Sequence, residues 1–436
     1  MNIPRLPHDL RSARSVCRLR WASVWLLIIW GVVAMSGCAT LREHPAPNLP
    51  RDVRLIDRPH SGNQERTTDD MIMPASGIAA SKLEHVLVLS GGGMNGAFPA
   101  GLLKGWSESG TRPKFDVVTG ISTGALIAPY AFLGPECDAD LERAYTTVKP
   151  GEIFRPRFLL SLPWSDALAD SEPLRHRIKK EVTADMLMRI AQEHREGRRL
   201  YVGTTNLDNQ ELVVWDMGAI AAGDDPQKLA LFQEILLASC SIPGLLPPVE
   251  IHITIDGRSY SELHADGNVG ASLFLPSQLQ SLRSRLPDEA EAGRSNVYVV
   301  IAGKLAPERT TVPKRLYQVT DVSLRGLMQS QMESDLQRVF LLTRMTGSNF
   351  HLAAIPDDVP LPSSSLSFDP KTMRTVFESG RQFGRKNSRW QAVPPGIDPA
   401  DWKSPRVGTA FMQQEFARPR EVRAPHRAGP QREPSE

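Results

Sequence analysis

The sequence has almost no excess charge of either sign. Its 51 lysine and arginine residues stand against 49 aspartate and glutamate residues, a formal net charge of +2 over 436 residues. A chain this close to neutral has no strong general attraction for nucleic acid, so we expect no nucleic-acid partner. Internal repeats are also absent. The length is compatible with one large α/β domain that has tails, or with two or three domains.

Cysteine is scarce, with four residues in the whole chain. Cys17 and Cys38 lie near the N-terminus, so Cys137 and Cys240 remain for a folded domain. Two cysteines permit one disulfide in an oxidising compartment. Cys240 lies in an apolar run, which favours a small buried side chain, and the sequence leaves the pairing open.

An apolar run spans residues 21–35, after a segment with five arginines and a single acidic residue, Asp9. A basic segment, an apolar core and small residues before a cleavage site are typical of a secretory signal. A membrane-spanning helix needs about 20 apolar residues, more than this core provides. We therefore predict a signal peptide over residues 1–37, with an uncleaved signal anchor as the alternative.

The segment Ser36-Gly37-Cys38 resembles the lipoprotein box of bacterial envelope proteins, although Met35 stands where leucine is usual. The resemblance implies that Cys38 is lipidated and becomes the mature N-terminus, a stable membrane anchor. Ala39 resembles the second residue of lipoproteins sent to the outer membrane, facing the periplasm. Residues 38–81 are polar and interrupted by five prolines, which predicts a flexible tether.

A glycine-rich turn follows the first predicted strand. His85–Ser90 is a short apolar, β-branched run that predicts a buried strand, and it continues directly into Gly91-Gly92-Gly93-Met94-Asn95-Gly96. Residues 97–106 then have helical spacing. Such a turn leaves backbone N–H groups unpaired and convergent, so it binds negative charge, either a ligand phosphate or a developing oxyanion.

The same glycines satisfy the dinucleotide-binding fingerprint G-x-G-x-x-G after a first strand. That fingerprint expects an acidic residue about 20 positions further on, at the end of the second strand. The chain has Gly120-Ile121-Ser122-Thr123-Gly124 there, and Asp116 lies at the start of that strand instead. A dinucleotide-binding oxidoreductase therefore explains only one of the two turns and is the less favoured alternative.

Ser122 lies at the apex of a predicted strand–turn–helix. The pattern G-x-S-x-G is typical of a nucleophile elbow, since the tight turn needs small residues on both sides of the serine. A helix N-cap is the alternative for Ser122 alone. A serine nucleophile needs a base within hydrogen-bond reach, either a histidine oriented by a carboxylate or a carboxylate alone. Asp266 suits the second case because Gly267 permits close approach, although Asp-Gly pairs are also common in turns. The candidate histidines are His176, His194, His252, His264 and His351.

The glycine turn, the serine elbow and the Asp-Gly pair occur in the order typical of the patatin-like phospholipase family, which the chain resembles over roughly residues 83–385. The matching segments are Ser90–Phe98, Gly120–Gly124 and Asp266-Gly267, with secondary matches at Gly203–Leu207 and Ala238–Pro248. Their joint occurrence is more specific than any single motif.

This resemblance implies an α/β fold: a three-layer α/β/α domain with a central, mostly parallel sheet over residues 82–387. A proline- and arginine-rich tail over residues 388–436 has no apolar period, which predicts disorder. The implied catalytic residues are Ser122, which attacks an acyl ester, and Asp266, which accepts its proton.

Backbone donors to the oxyanion are implied at Gly91, Gly92 and Gly93. Membrane lipid is the implied substrate of this phospholipase-type hydrolysis. No metal, cofactor or nucleotide is expected.

The chain departs from the family pattern at Ser90 and Asn95, where aspartate and a basic residue are usual. The missing basic residue weakens the inference to anionic phospholipid. The changes at Ser90 and Asn95 together keep a non-catalytic lipoprotein of the same fold, which binds lipid or a partner, as an alternative. His264 precedes Asp266 by two residues and would share a strand face with it. We expect a structural role for His264.

Several further elements are predicted around these motifs. Two paired strands flank Asp208-Asn209, and a hairpin has Asp256-Gly257 at its turn. A long helix spans 321–345, and Phe368-Asp369-Pro370 opens a final helix. The apolar, proline-interrupted segment Phe154–Trp164 is expected to pack on the core, with a lid near the serine as the alternative.

Overall fold

The structure is a computed structural model that describes residues 85–149, 151–158, 165–255, 258–275, 295–306, 311–362, 364–386 and 390–398. The predicted signal, the tether with Cys38 and most of the predicted tail lie outside these ranges, and they stay predictions. The chain divides into two units, one ending at Pro394 and one beginning at Pro395. Everything that follows concerns the first unit. None of the helices in the described ranges is both long and apolar enough to cross a membrane.

The first unit has a central, mostly parallel sheet flanked by helices, as expected for the α/β/α fold. Its strands are β1 (His85–Leu89), β2 (Val117–Ile121), β5 (Arg199–Asn206), β6 (Glu211–Asp216), β7 (Val249–Ile255), β8 (Arg258–Asp266), β9 (Asn296–Ile301) and β10 (Asn349–Ala354). A separate two-stranded ribbon consists of β3 (Arg155–Pro156) and β4 (Ala169–Asp170). The main strand order is β10-β9-β1-β2-β5-β8-β7, with β6 paired to β5.

The helices of the described ranges connect and cover these strands. They are α1 (Ala97–Glu108), α2 (Thr123–Leu133), α3 (Asp138–Thr146), α4 (Glu172–Glu181), α5 (Ala184–Arg195), α6 (Met217–Ala222), α7 (Lys228–Ser239), α8 (Leu316–Met345) and α9 (Pro370–Lys386). Helices α4 and α5 follow each other with a short break between them. The break falls at Thr183, whose hydroxyl accepts a hydrogen bond from Met186 N–H and caps α5.

Strand register brings the ends of β2 and β8 together. Ile121 of β2 pairs with Gly203 of β5, and Asp266 of β8 pairs with Thr204, the next residue along β5. β2 runs parallel to β5 whereas β8 runs antiparallel to it, so the carboxyl ends of β2 and β8 meet at this point. β1 lies on the other side of β2, and Leu89 at its end is level with Gly120. Three loops therefore leave the sheet at one place.

The strands that carry these loops are buried, as the sequence predicted for His85–Ser90. β1 lies between β9 and β2, and Leu87 and Val88 have no exposed surface. The predicted pair β5–β6 and the hairpin β7–β8 are both present and antiparallel. The predicted final helix is present as α9, and Asp369 caps its start by accepting a hydrogen bond from Thr372 N–H at 2.8 Å.

Helices α1 and α9 pack backbone against backbone. The glycines at their contact are Gly101 and Gly105 on α1, and Gly380 and Gly384 on α9. A methyl group on any one of them would collide with backbone atoms of the opposite helix. The spacing of four residues on both helices places each pair of glycines on one face, so the two axes approach closely.

Replacing Gly105 with alanine is therefore expected to destabilise the protein by about 1–3 kcal/mol, because the added methyl group must displace the backbone of Arg381. Gly326 in α8 has nothing within 4 Å of an added methyl group and serves as the matched control. There alanine is expected to be neutral or stabilising, since alanine favours a helix by up to about 1 kcal/mol over glycine. Urea unfolding of both variants tests this, and equal effects at the two sites would contradict the packing argument.

The packed unit continues beyond residue 387, the expected end of the domain. The ring of Trp390 lies 5.0 Å from that of Trp106 and 5.4 Å from that of Tyr298, centroid to centroid. Gln391 exchanges two backbone hydrogen bonds with Leu352 of the edge strand β10. These contacts attach the start of the predicted tail to the sheet.

Candidate active site

Ser122 occupies a strained turn between β2 and α2. Its φ of 54° and ψ of −123° lie in a region that a residue with a side chain rarely adopts. The flanking glycines explain how the turn is accommodated. A side chain on Gly120 would collide with the carbonyl of Gly124, and one on Gly124 would collide with the backbone of Leu89. The second contact also fixes the start of α2 against the end of β1.

The hydroxyl of Ser122 makes no N-cap hydrogen bond to α2, so the alternative of a simple helix cap was wrong. Its Oγ donates instead to Oδ2 of Asp266 at a distance of 2.7 Å. Oδ1 of Asp266 accepts a hydrogen bond from the backbone N–H of Asn268 at 2.9 Å, the bond of a turn aspartate. Ser122 is 6% exposed and Asp266 is 2% exposed, so the pair is largely shielded from water.

This burial changes the acidity of Asp266. Removal from water raises its pKa from 3.8 to about 6, against the opposing hydrogen bonds from Asn268 N–H and the Ser122 hydroxyl. A carboxylate with a raised pKa is a stronger base than an exposed aspartate, and it is still ionised at neutral pH. The pair therefore combines a hydroxyl with an acceptor suited to take its proton.

Two further residues hold the pair in position. Ser239 accepts a hydrogen bond from Ser122 N–H at 3.0 Å and donates to the carbonyl of Gly203 at 2.7 Å, which ties the elbow to β5. Thr205 donates to the backbone carbonyl of Asp266 at 3.0 Å and ties the other partner to the same strand. Sequence reasoning did not assign roles to these residues, although both lie in the segments quoted as secondary matches.

The glycine turn lies beside the pair. Gly91 N–H donates to the carbonyl of Ser272 at 3.4 Å, whereas the N–H groups of Gly92 and Gly93 have no acceptor among the described residues. A side chain on Gly91 would collide with that of Asn268, so this turn also contacts the Asp266 loop. Of the three predicted donors, two are thus available.

The backbone N–H of Thr123 is a further free donor next to Ser122. Thr123 is the first residue of α2, and no described residue accepts a hydrogen bond from its N–H. In nucleophile elbows the residue after the nucleophile contributes its N–H to the oxyanion site. The hydroxyl of Thr123 is held 2.7 Å from that of Tyr145, which fixes the start of the helix.

The histidines of the described ranges make no hydrogen bond to the pair. His264 is fully buried, with Nδ1 2.9 Å from Thr204 Oγ1 and Nε2 3.2 Å from Glu262 Oε2. In the described part of the chain, no histidine nitrogen is hydrogen-bonded to Ser122 or Asp266. This geometry therefore does not support a histidine as the base. The contacts of His264 with Thr204 and Glu262 are those of a structural residue.

A mostly apolar cavity of about 100 Å³ opens onto Ser122 and Gly93. Helices α2, α3, α4 and α7 line it, and the lining residues include Leu126, Tyr130, Tyr145, Leu174, Ile178, Leu236 and, directly after α7, Cys240. Phe154 also lines the cavity and packs against the core, whereas Phe158 is 74% exposed. The segment from Phe154 thus begins as a wall of the cavity. Residues 159–164 lie outside the described ranges.

The two cysteines in the described part of the chain do not form a disulfide. Cys137 and Cys240 are both free and buried. Burial raises the pKa of the Cys240 thiol well above its ordinary value, as expected for a small buried side chain.

The described ranges contain no group of three or more histidine, cysteine, aspartate or glutamate side chains that could hold a metal ion.

Comparison with known proteins gives a family match over part of the chain. Residues 87–275 match the family model described as patatin-like phospholipase. VipD from Legionella pneumophila is 13% identical with a TM-score of 0.35, and the match covers 70% of this chain and 66% of that one. The type III effector protein ExoU is 14% identical with a TM-score of 0.31, covering 70% of this chain and 52% of that one. The chain thus spans about two thirds and about half of these lengths. No curated protein matches the sequence.

Proposed function

Residues 87–275 belong to the patatin-like phospholipase family, and from this premise we propose that the protein is a serine acyl-ester hydrolase that acts on membrane lipids. The matched region includes the glycine turn, Ser122 and Asp266. The observation that carries the proposal is the 2.7 Å hydrogen bond from Ser122 Oγ to Asp266 Oδ2. A buried hydroxyl on a strained elbow, bonded to a carboxylate of raised pKa, is the arrangement that nucleophilic catalysis needs.

In the first half-reaction, Ser122 Oγ attacks the acyl carbonyl while Asp266 takes the hydroxyl proton. The carbonyl oxygen becomes an oxyanion, which accepts hydrogen bonds from the free N–H groups of Gly92, Gly93 and Thr123. When the tetrahedral intermediate collapses, the ester C–O bond breaks and Asp266 returns its proton to the leaving alcohol. The products of this step are the alcohol and an acyl-serine.

In the second half-reaction, water hydrolyses the acyl-serine: water is the nucleophile and Ser122 is the leaving group. Asp266 takes a proton from a water molecule, whose oxygen attacks the acyl-serine carbonyl. The bond to Ser122 Oγ then breaks, Ser122 recovers its proton from Asp266, and the carboxylic acid leaves. The apolar cavity suits the acyl chain, because its walls remove hydrocarbon from water.

The proposal predicts release of fatty acid from phospholipid vesicles by the full chain, with a specific pH dependence. Asp266 must be ionised to act as the base, so kcat/KM is expected to be constant above about pH 7 and to fall through the pKa of about 6. Each further pH unit below that value should cost about tenfold. Titration of released fatty acid across this range measures the profile.

A histidine base would titrate in the same range, so His264→Gln is the control. This variant should keep the midpoint if it remains folded by circular dichroism. Loss of the acidic limb in His264→Gln, or no fatty-acid release by the wild type at any pH, would contradict the proposal. Binding to vesicles without any release would support the alternative of a non-catalytic lipid-binding protein.

A further inference from the structure

A second cavity, which we call the cationic groove, lies beside the cavity of Ser122. It has a volume of about 750 Å³ and lies between α3, the following loop and α4. Its basic residues are Arg143, Lys149, Arg155, His176, Arg177 and Lys180, and its acidic residues are Glu152, Glu172 and Glu181. Even with a neutral histidine, the groove has an excess of positive charge.

The two cavities share part of their wall. Arg177 and Glu181 of α4 line both, and they are the charged residues of the otherwise mostly apolar cavity of Ser122. The guanidinium of Arg177 is held in place by a 2.7 Å hydrogen bond to the carbonyl of Ala144 and lies 3.4 Å from Glu152. The positively charged guanidinium of Arg177 therefore lies at the boundary between the apolar cavity and the groove.

Much of the positive charge in the groove is not neutralised by neighbouring side chains. Arg143 pairs with Asp140 outside the groove. By contrast, the charged side-chain groups of Lys149, Arg155 and Lys180 form no ion pair with a carboxylate among the described residues, although Glu152 Oε2 accepts a hydrogen bond from the backbone N–H of Lys149. Unpaired cations on the wall of a concave site raise the local concentration of anions and form charge-assisted hydrogen bonds with them.

The glycine turn does not provide such a cation. Asn95 is its one side chain with a polar amide, and its Oδ1 is buried without a hydrogen-bond partner among the described residues. Recognition of an anion near Ser122 thus depends on the side of the cavity formed by α4.

We propose that the cationic groove binds the phosphate-type anionic group of the lipid whose acyl chain occupies the cavity of Ser122. The enzyme accordingly selects lipids with a net negative headgroup over zwitterionic ones. This inference rests on the proposed function. In a glycerophospholipid the acyl esters and the phosphate are attached to one glycerol, an order that matches an apolar cavity adjoining a cationic groove.

The test compares kcat/KM for dihexanoyl phosphatidylglycerol and dihexanoyl phosphatidylcholine, both as monomers in solution. Monomers remove the effect of vesicle surface charge on binding. The full chain should prefer the anionic lipid, and Arg177→Gln combined with Lys180→Gln should lower this preference about tenfold, the loss expected when charge-assisted hydrogen bonds are removed. Raising the salt concentration should weaken the preference of the wild type.

Lys179→Gln is the matched control, because Lys179 is an exposed neighbour of Lys180 that does not line the groove. It should leave the preference unchanged. If the Arg177 variant does not fold, Lys149→Gln combined with Lys180→Gln changes exposed side chains and tests the same point. A preference that survives removal of the groove cations in a folded variant overturns the proposal.

Calorimetry with Ser122→Ala separates this proposal from the proposed function, since it needs no turnover. The groove variants should lose binding of dihexanoyl phosphatidylglycerol even if no lipid is hydrolysed.

A second binding experiment uses inorganic phosphate as the ligand, alone and in competition with the lipid. Competition between phosphate and the anionic lipid supports the proposal, whereas groove-dependent binding of phosphate with no effect on lipid binding overturns the headgroup assignment.

Discussion

Ser122→Ala is expected to lower kcat/KM for ester hydrolysis by about 10⁴-fold or more, because Ser122 provides the only hydroxyl among the described residues that is bonded to the carboxylate of Asp266. Asp266→Asn should have an effect of similar order, since an amide preserves the shape of the side chain but cannot take the proton of Ser122. Effects of residues that act as a unit are not additive, so the double variant should be no worse than either single one. Hydrolysis of a soluble ester measures all three.

Ser241→Ala is the matched control for these variants. Ser241 is also a buried serine, and its hydroxyl donates to the carbonyl of Leu237 rather than to the site. We expect its activity to remain within about threefold of the wild type. Activity in Ser122→Ala above about a tenth of the wild type would contradict the assignment of the nucleophile.

Gly92→Ala should lower kcat by about 10²–10³-fold, the loss typical when one oxyanion donor is removed. A methyl group on Gly92 would collide with the backbone carbonyl of Ala302, so the turn must shift and its free N–H groups move with it. KM should change far less than kcat, because these donors act on charge that develops in the transition state.

Gly303→Ala is the control for this change, since it lies next to Ala302 and an added methyl group there meets only Ile301 at 3.9 Å. It should have nearly wild-type kcat. A folded Gly92→Ala protein with unchanged kcat would show that this turn does not serve the oxyanion.

Local pattern was sufficient to predict each of the three loops, because their chemistry depends on short segments. Gly120 and Gly124 predict a tight turn around Ser122. The short apolar, β-branched run at residues 85–89 predicts a buried strand before the glycine turn. The contact between Ser122 and Asp266 could not be predicted from local pattern. It follows from the register of β2 and β8 on β5, and pairing over such sequence separations was inferred from the family resemblance rather than from the residues.

What the sequence left open was decided by contacts across the sheet. Because side chains two residues apart point to the same face of a strand, His264 was expected near Asp266. Its two ring nitrogens are instead hydrogen-bonded to Thr204 and Glu262. Ser239 is one serine within an apolar helix, and only its place against Ser122 gives it a positioning role.

Helix packing set other limits on prediction. The glycines of α1 and α9 are separated by hundreds of residues in the chain, so their shared contact could not be read from either helix. The long helix predicted over 321–345 begins earlier, at Leu316. Its start was missed because the N-cap residue, Arg315, is not a typical capping residue and makes no side-chain cap hydrogen bond. The cationic groove combines residues from α3, α4 and the loop between them, each of which resembles ordinary solvated surface when taken alone.

Activation of Ser122 by Asp266 is tested by the rate at which a fluorophosphonate probe labels the full chain, with the modified residue identified by peptide mass. Such a probe reacts with an activated serine hydroxyl and leaves a stable adduct. We expect one adduct on Ser122 in the wild type and labelling that is much slower in Asp266→Asn. Absence of an adduct on Ser122 in folded protein, or equal rates in the two proteins, would contradict this activation.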